Sequence, residues 1–330
     1  MRCFYCNRLL DAFSTPEETA NQWHHSCVRK FFGTESFPEI DLNDDKLLEL
    51  AKQTINRGLV TPGVQKKVSL EIESSAAKPR TLHGFKLGYI IKPQSENYPN
   101  LPESENLGMR LAESYGLKTV PHALIKTSLK GGSLAYITKR IDRQGIVNKS
   151  ITRLAMEDFC QLSERLTEDK YKGSYEHCAR LIRKYSIRPG LDLSEFYLNL
   201  LLAFISGNTD MHLKKFSLIE TKAGSRKFVL SPAYDLVPTK LLFPKDLDQT
   251  ALTLNGKKNN IRRKDFLKFA DTVGLDSKAA SRMIDHVVGL QTEFEALCAN
   301  SYLPDSQKNT MKNIISGHVE SVVLMSRCTH

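Results

Sequence analysis

Residues 196–206, FYLNLLLAFIS, carry apolar side chains on every side of a helix, and this stretch constrains the chain more than any other. A helix that is hydrophobic all round has no face to give to water, so it must run through the middle of a body large enough to surround it. The chain has 330 residues, and at roughly 150 residues per domain that means about two domains, or one large body with two lobes. The helix cannot instead cross a bilayer: the uncharged run around it, 196–209, is 14 residues long, against the roughly 20 that spanning requires. With 41% hydrophobic and 25% charged residues, 18 Gly and 13 Pro, no internal repeat and no low-complexity tract, the composition excludes a disordered or fibrous protein.

The seven cysteines fall into two populations. Cys160, Cys178, Cys298 and Cys328 are scattered and read as core or surface thiols. Cys3, Cys6 and Cys27 crowd the start. There Cys3-x-x-Cys6 is followed after 17 residues by His24-x-x-Cys27, offering three thiolates and an imidazole as two close pairs. That is the arrangement of a tetrahedral structural zinc site. The competing reading is of small buried thiols beside a surface histidine, and His25 is a rival ligand with different spacing. MRCFYCNRLLDAF has no continuous apolar run and no small-residue cleavage site, so it does not read as an export signal. An odd number of cysteines without such a signal points to reduced thiols in a cytoplasmic protein.

Periodicity predicts a helix over 44–57, a strand over 67–73 with Val68, Leu70 and Ile72 on one face, and strands over 84–92 and 134–141. A helix over 104–115 should stop at Gly116. From Met156 onward the pattern turns mostly helical, interrupted by a strand pair at 216–219 and 227–230 joined by Ala223-Gly224-Ser225. The fold class expected is α+β.

Common nucleotide and metalloprotease motifs are missing: there is no G-x-G-x-x-G, no G-x-x-x-x-G-K-[ST] and no H-E-x-x-H. Instead GNTDMHLK, residues 207–214, directly follows the buried helix, and PAYDL follows at 232–236. This places Asp210 and Asp235 in loops. Phosphoryl transfer needs such a pair, one carboxylate for the acceptor hydroxyl and one for the metal on the triphosphate. It also needs a lysine on the phosphates. Lys92 ends the apolar strand YIIK, and Glu105 on the next helix is placed to orient it.

These segments, with Gly63-Val64-Gln65-Lys66-Lys67-Val68-Ser69 and Lys139-Arg140-Ile141-Asp142-Arg143, resemble the HipA-like serine/threonine kinases of bacterial toxin–antitoxin systems, in the family's order and spacing. The resemblance implies a two-lobed kinase fold, ATP, Mg2+, and phosphorylation of a protein, an aminoacyl-tRNA synthetase in the known cases. By position it makes Asp210 the catalytic base, Asp235 the magnesium-holding aspartate, Lys92 the phosphate lysine and Glu105 its partner. Asp142, His212, Lys214 and Lys215 then lie at the nucleotide site, and Gly63, Val64, Gln65 and Lys67 form the loop over the phosphates. Three parts are expected: a Cys/His knuckle over 1–33, an N-lobe with a sheet over 34–150 and a helical C-lobe over 151–330. The start through Phe31-Phe32-Gly33 is similar to the short HipT-type members of three-gene HipBST operons, which implies a small HipS-like protein supplying a missing subdomain. A DNA-binding HipB-type antitoxin is the other implied partner, with DNA reached only through that complex and no membrane involved.

Two departures stand out. Lys215 occupies the position where the family carries a metal-ligating Asn, and an ammonium repels Mg2+ while it can neutralise phosphate. The family's autophosphorylated serine corresponds to Val60, leaving Thr61 next to it. Lys215 motivates an alternative, an ATP-binding pseudokinase acting as a binding module. The net charge of +10, 47 basic against 37 acidic residues, favours acidic partners, and with the Cys/His start it motivates another, a zinc-containing nucleic-acid-binding protein. The basic cluster Lys257, Lys258, Arg262, Arg263, Lys264 and Lys268 has no interleaved aromatics for base stacking.

Overall fold

The computed structural model describes residues 1–40, 68–73, 81–84, 88–127, 133–147 and 150–323. The helix expected over 44–57, the loop residues Gly63, Val64, Gln65 and Lys67, Val60, Thr61 and Cys328 lie outside the described residues. The chain forms two compact units, Met1–Asn106 with Val120–Arg143, and Leu107–Thr119 with Gln144–His330.

The first unit is built on a six-stranded sheet. Its strands are β1 (Glu39–Ile40), β2 (Val68–Glu73), β3 (Thr81–Gly84), β4 (Tyr89–Lys92), β5 (His122–Lys126) and β6 (Leu134–Lys139). The order across the sheet is β1-β3-β2-β4-β6-β5, antiparallel throughout except for β1 with β3. The single strand expected over 84–92 is two strands. Gly84 and Tyr89 both register with Leu70, from opposite sides of β2, so no one strand can hold both.

Two short helices precede the sheet. Helix α1 (Pro16–Asn21) is started by a Thr15–Glu18 capping box, and α2 (His25–Phe32) ends on Gly33 in the left-handed region. The segment rests on the sheet: the Trp23 indole donates to Leu124 O at 3.2 Å, and Lys126 Nζ donates to Ala20 O at 2.7 Å. Helix α3 (Leu101–Ser114) begins three residues before the sequence suggests, because the Gln94 side chain accepts from Leu101 N at 3.2 Å. It stops before Gly116 as expected, with Gly116 at φ 86°.

The second unit carries a β7 (Arg143–Val147) and β8 (Ser150–Arg153) pair and a three-stranded antiparallel sheet, β11-β10-β9, of β9 (Met156–Asp158), β10 (Ser217–Glu220) and β11 (Phe228–Leu230). Helices α4 (Phe159–Leu162), α5 (Tyr175–Tyr185), α6 (Pro189–Ile205), α7 (Thr239–Leu242), α8 (Arg263–Thr272), α9 (Ser277–Gly289), α10 (Gln291–Ala299) and α11 (Asp305–Val323) complete it. The all-apolar stretch forms the buried half of α6, as its composition demands. Phe196 meets Phe216 with ring centroids 4.9 Å apart, and Phe204 meets Phe266 at 5.4 Å. The helix starts seven residues earlier than the stretch, at Pro189, whose fixed φ suits a first helical turn. The fully buried Asp192 locks that turn, accepting from Ser186 Oγ at 2.6 Å and Leu230 N at 2.7 Å.

Candidate active site

At the end of α6 the backbone turns through Gly207 at φ 68°. A Cβ there would come within 2.8 Å of Ile314 Cγ2, so the turn requires glycine for both conformation and space. The next residues are pinned. Asn208 N donates to Ala203 O at 2.8 Å, Thr209 N to Thr239 Oγ1 at 2.6 Å, and Asp210 N to Asn208 Oδ1 at 3.1 Å. The buried helix therefore ends in a rigid loop that presents one carboxylate, Asp210, 34% exposed.

Asp235 reaches the same place from the segment after β11. Its φ is 59°, a left-handed conformation that Asp adopts more readily than most residues. The neighbours hold it: Tyr234 Oη and Ser217 Oγ are 2.5 Å apart, and Gly108 packs so closely that a Cβ would lie 2.2 Å from Leu236 O. Lys215 joins the two aspartates. Its buried ammonium donates to Asp235 Oδ2 and lies 3.3 Å from Asp210 Oδ2.

Tyr171 takes the other side of Asp210, its hydroxyl donating to Oδ1 at 2.5 Å. Burial, then this bond to a carboxylate, push the phenol's pKa up. The ring is 44% exposed and stands edge-on to His212 at 4.9 Å. His212 is buried, and desolvation lowers its pKa to about 4, so the imidazole is neutral near pH 7. Its Nδ1 accepts from Lys214 N at 3.2 Å. The Lys214 ammonium, which the resemblance assigns to the nucleotide site, donates to Asp158 Oδ2 at 2.6 Å.

Within the first unit, Lys92 Nζ donates to Glu105 Oε1 at 2.6 Å, with both side chains buried. A buried ammonium is tolerable only with such a partner, and this is the pairing expected from their order in the sequence. Asp142 is gripped by Arg140 through two bonds of 2.9 and 2.7 Å and by Arg143 at 2.6 Å. Burial acts to raise its carboxyl pKa, but the guanidinium groups outweigh that and hold it below the usual range.

The carboxylates of Asp210 and Asp235 are the hard oxygen donors that magnesium prefers. Lys215 offers no lone pair while charged, so the residues fit one ion on Asp235 better than a pair of ions.

Cys3, Cys6, His24 and Cys27 come together, their four ligand atoms all within 4.8 Å of one another. His24 Nδ1 faces Cys6 Sγ at 3.4 Å and Cys27 Sγ at 3.8 Å, while its Nε2 lies 3.3 Å from Leu9 O. A backbone carbonyl on one ring nitrogen leaves the other as the metal-facing lone pair. Hydrogen bonds with Cys3 and Cys6, and then burial, push the Cys27 thiol up. Thiols this close resist losing protons unless a cation sits among them. The four residues could hold a tetrahedral ion.

A carboxylate after a buried helix and a second in the following loop, with a buried lysine–glutamate pair in the other unit, are residue types that phosphoryl transfer uses. The HipA-like C-terminal domain model matches residues 59–293, and the chain belongs to that family. A kinase-named protein of Sinorhizobium fredii, Y4mE, is 27% identical over 274 residues, 79% of this chain, and the match spans 63% of that protein's length. A Haemophilus influenzae protein named as a kinase is 22% identical over 327 residues, covering 91% of this chain and 92% of its own. Among solved structures, HipA in the Shewanella oneidensis HipA, HipB and operator DNA complex superposes with a TM-score of 0.66 at 18% identity, over 83% of this chain and 71% of that one. The chain therefore has the mixed helix-and-sheet HipA kinase fold.

Proposed function

We propose that the protein is an ATP-dependent serine/threonine protein kinase, the toxin of a bacterial toxin–antitoxin module. The observation that carries this reading is the convergence of Asp210 and Asp235 on one ammonium, Lys215, at the end of a rigid loop. Two ionised carboxylates this close repel unless a cation or a shared proton offsets them, and here the ammonium of Lys215 does so.

In this reading a seryl or threonyl hydroxyl replaces Tyr171 on Asp210 Oδ1. As the acceptor oxygen bonds to the γ-phosphorus, its proton passes to Asp210, the bond to the β–γ bridging oxygen breaks, and ADP leaves with that electron pair. Lys92, oriented by Glu105, is assigned to the phosphates. Magnesium, held by Asp235 when bound, neutralises charge on the transferring group. Neutral His212, whose Nε2 lies 3.8 Å from Asp210 Oδ1, adds no positive charge beside the base. The family resemblance supports a translation component, an aminoacyl-tRNA synthetase, as substrate, a HipB-type DNA-binding antitoxin and a small HipS-like protein as partners, and a cytoplasmic location. No helix among the described residues is long and apolar enough to cross a membrane. The Cys3, Cys6, His24 and Cys27 group takes no part in phosphoryl transfer and is read as a structural zinc site.

The test is a phosphoproteome of host cells after brief expression of wild type against Asp210→Asn. A small set of seryl or threonyl sites labelled only by wild type supports the reading; identical phosphoproteomes sink it. Lys215 favours a second reading, an ATP-binding module without turnover, which predicts ATP binding by wild type with no Asp210-dependent ADP release.

A further inference from the structure

The Cys/His group shares one unit with the Lys92 strand, and its ligands are interleaved with a set of aromatic rings. Tyr5 lies between Cys3 and Cys6, Trp23 adjoins His24, and Phe31 follows Cys27 by four residues, on the same face of α2. Tyr5 stacks on Trp23 with centroids 5.6 Å apart, and both meet Phe31 at 5.4 Å. Phe31 and Phe32 each contact the Tyr89 ring at 5.6 Å, and the Tyr89 hydroxyl donates to Phe31 O at 3.2 Å. Tyr89 is the first residue of β4, and Lys92 is the last. A continuous packed path thus runs from the four ligand atoms through α2 to the strand that bears the buried lysine.

The knuckle's own short helices add little to this packing on the sheet. Helices of 6 and 8 residues are unstable alone, and a segment of about 33 residues is below the size, roughly 40, at which a core suffices without a metal or disulfide. Cys3, Cys6 and Cys27 form no disulfide.

We propose that a zinc ion bound by Cys3, Cys6, His24 and Cys27 is a brace for β4, so that zinc occupancy sets the rigidity of the strand carrying Lys92. Binding releases the three thiol protons to solvent and leaves a closed tetrahedral shell of three thiolates and one neutral imidazole, with no open position for catalysis. The brace stands on geometry within the first unit and does not depend on what Lys92 contacts.

Full-length protein purified without added metal should contain about one zinc per chain by plasma mass spectrometry, as a closed structural site requires. Stripping zinc with a chelator should shift the emission of Trp23, the chain's one tryptophan, to longer wavelength. It should also speed deuterium exchange at the amides of residues 89–92 by about tenfold, the local opening expected when a packed support is lost. Added zinc should reverse both. Cys6→Ser should lose the metal, while His24→Cys, a four-thiolate site, should keep it together with wild-type exchange at β4. Wild type free of zinc, or zinc removal that leaves Trp23 emission and β4 exchange unchanged, would overturn the proposal. These readouts need no ATP, so a failure of the kinase reading leaves them interpretable.

Discussion

Replacing Lys215 with Asn puts the cation arrangement of the site to a direct test. The Lys215 ammonium lies 3.3 Å from Asp210 Oδ2 while bonding Asp235 Oδ2. At that separation Coulomb's law gives about 1.3 kcal/mol at the dielectric of water and about 5 kcal/mol at an effective value near 20. Asp210 is 34% exposed, which puts the contact toward the low end, about 1–2 kcal/mol. A magnesium ion on Asp235 competes with this attraction and meets the ammonium's repulsion. Lys215→Asn, which removes the charge and adds an oxygen donor, should therefore tighten magnesium by about tenfold or more, at 1.4 kcal/mol per tenfold. Lys215→Met separates the contributions, since it removes the charge without adding a ligand. The assay is ADP release titrated with magnesium at fixed ATP, alongside melting in metal-free buffer. There, two unopposed carboxylates should cost both variants about 2–6 °C, recovered on adding magnesium. An unchanged half-saturating magnesium concentration in Lys215→Asn, with unchanged metal-free melting, would refute the assignment of Lys215 as the resident cation.

Tyr171→Phe keeps the ring on His212 and frees Asp210 Oδ1, so acceptor-free ATP hydrolysis should rise about tenfold, the worth of one hydrogen bond to a charged group, read as ADP release with Asp210→Asn as control. Glu105→Gln leaves the Lys92 ammonium buried beside a neutral amide and should cost about 3–5 kcal/mol in urea unfolding, as for a broken buried pair; a cost below the error of that measurement would show that the pair is not buried in solution. Acid should unfold the protein early. His212 and His318 have pKa values lowered by burial from 6.5 to about 4, so between those values the unfolded chain binds protons that the folded one refuses. Their neutral forms are unpenalised above pH 6.5, and stability falls with pH below it, by about 3 kcal/mol per imidazole at pH 4. His318→Phe should flatten this slope in pH-dependent melting.

Most of the site's framework was legible because it rests on local rules. An all-apolar stretch had to become the buried part of α6, and the polar residues immediately after it had to be held at its end, which is where Asp210 stands. Lys92 closes a short apolar strand, and Glu105 falls on the next helix, so their meeting follows from order along the chain. What could not be read depends on contacts between distant segments. Strand β9 has three residues without alternation and gains its partner, β10, from 59 residues downstream. Tyr171 sits in a polar stretch with no periodicity, and only the fold brings its hydroxyl to a carboxylate 39 positions away. The direction of Lys214 was equally hidden, since its partner Asp158 belongs to the same distant β9. Splitting residues 84–92 into two strands required knowing that β2 runs between them.

The docking of Trp23 and Phe4 on β5 has a consequence for solubility. Strand β5 ends the sheet order, with β6 on one side only. At Leu124 its outward carbonyl is taken by the Trp23 indole and its outward N–H by Phe4 O at 3.4 Å. Strip away the first 33 residues and an apolar strand, HALIK, would present unpaired backbone groups to any neighbouring chain, the template on which edge-to-edge aggregation begins. The cysteine-rich start therefore also caps the exposed edge of the sheet at Leu124.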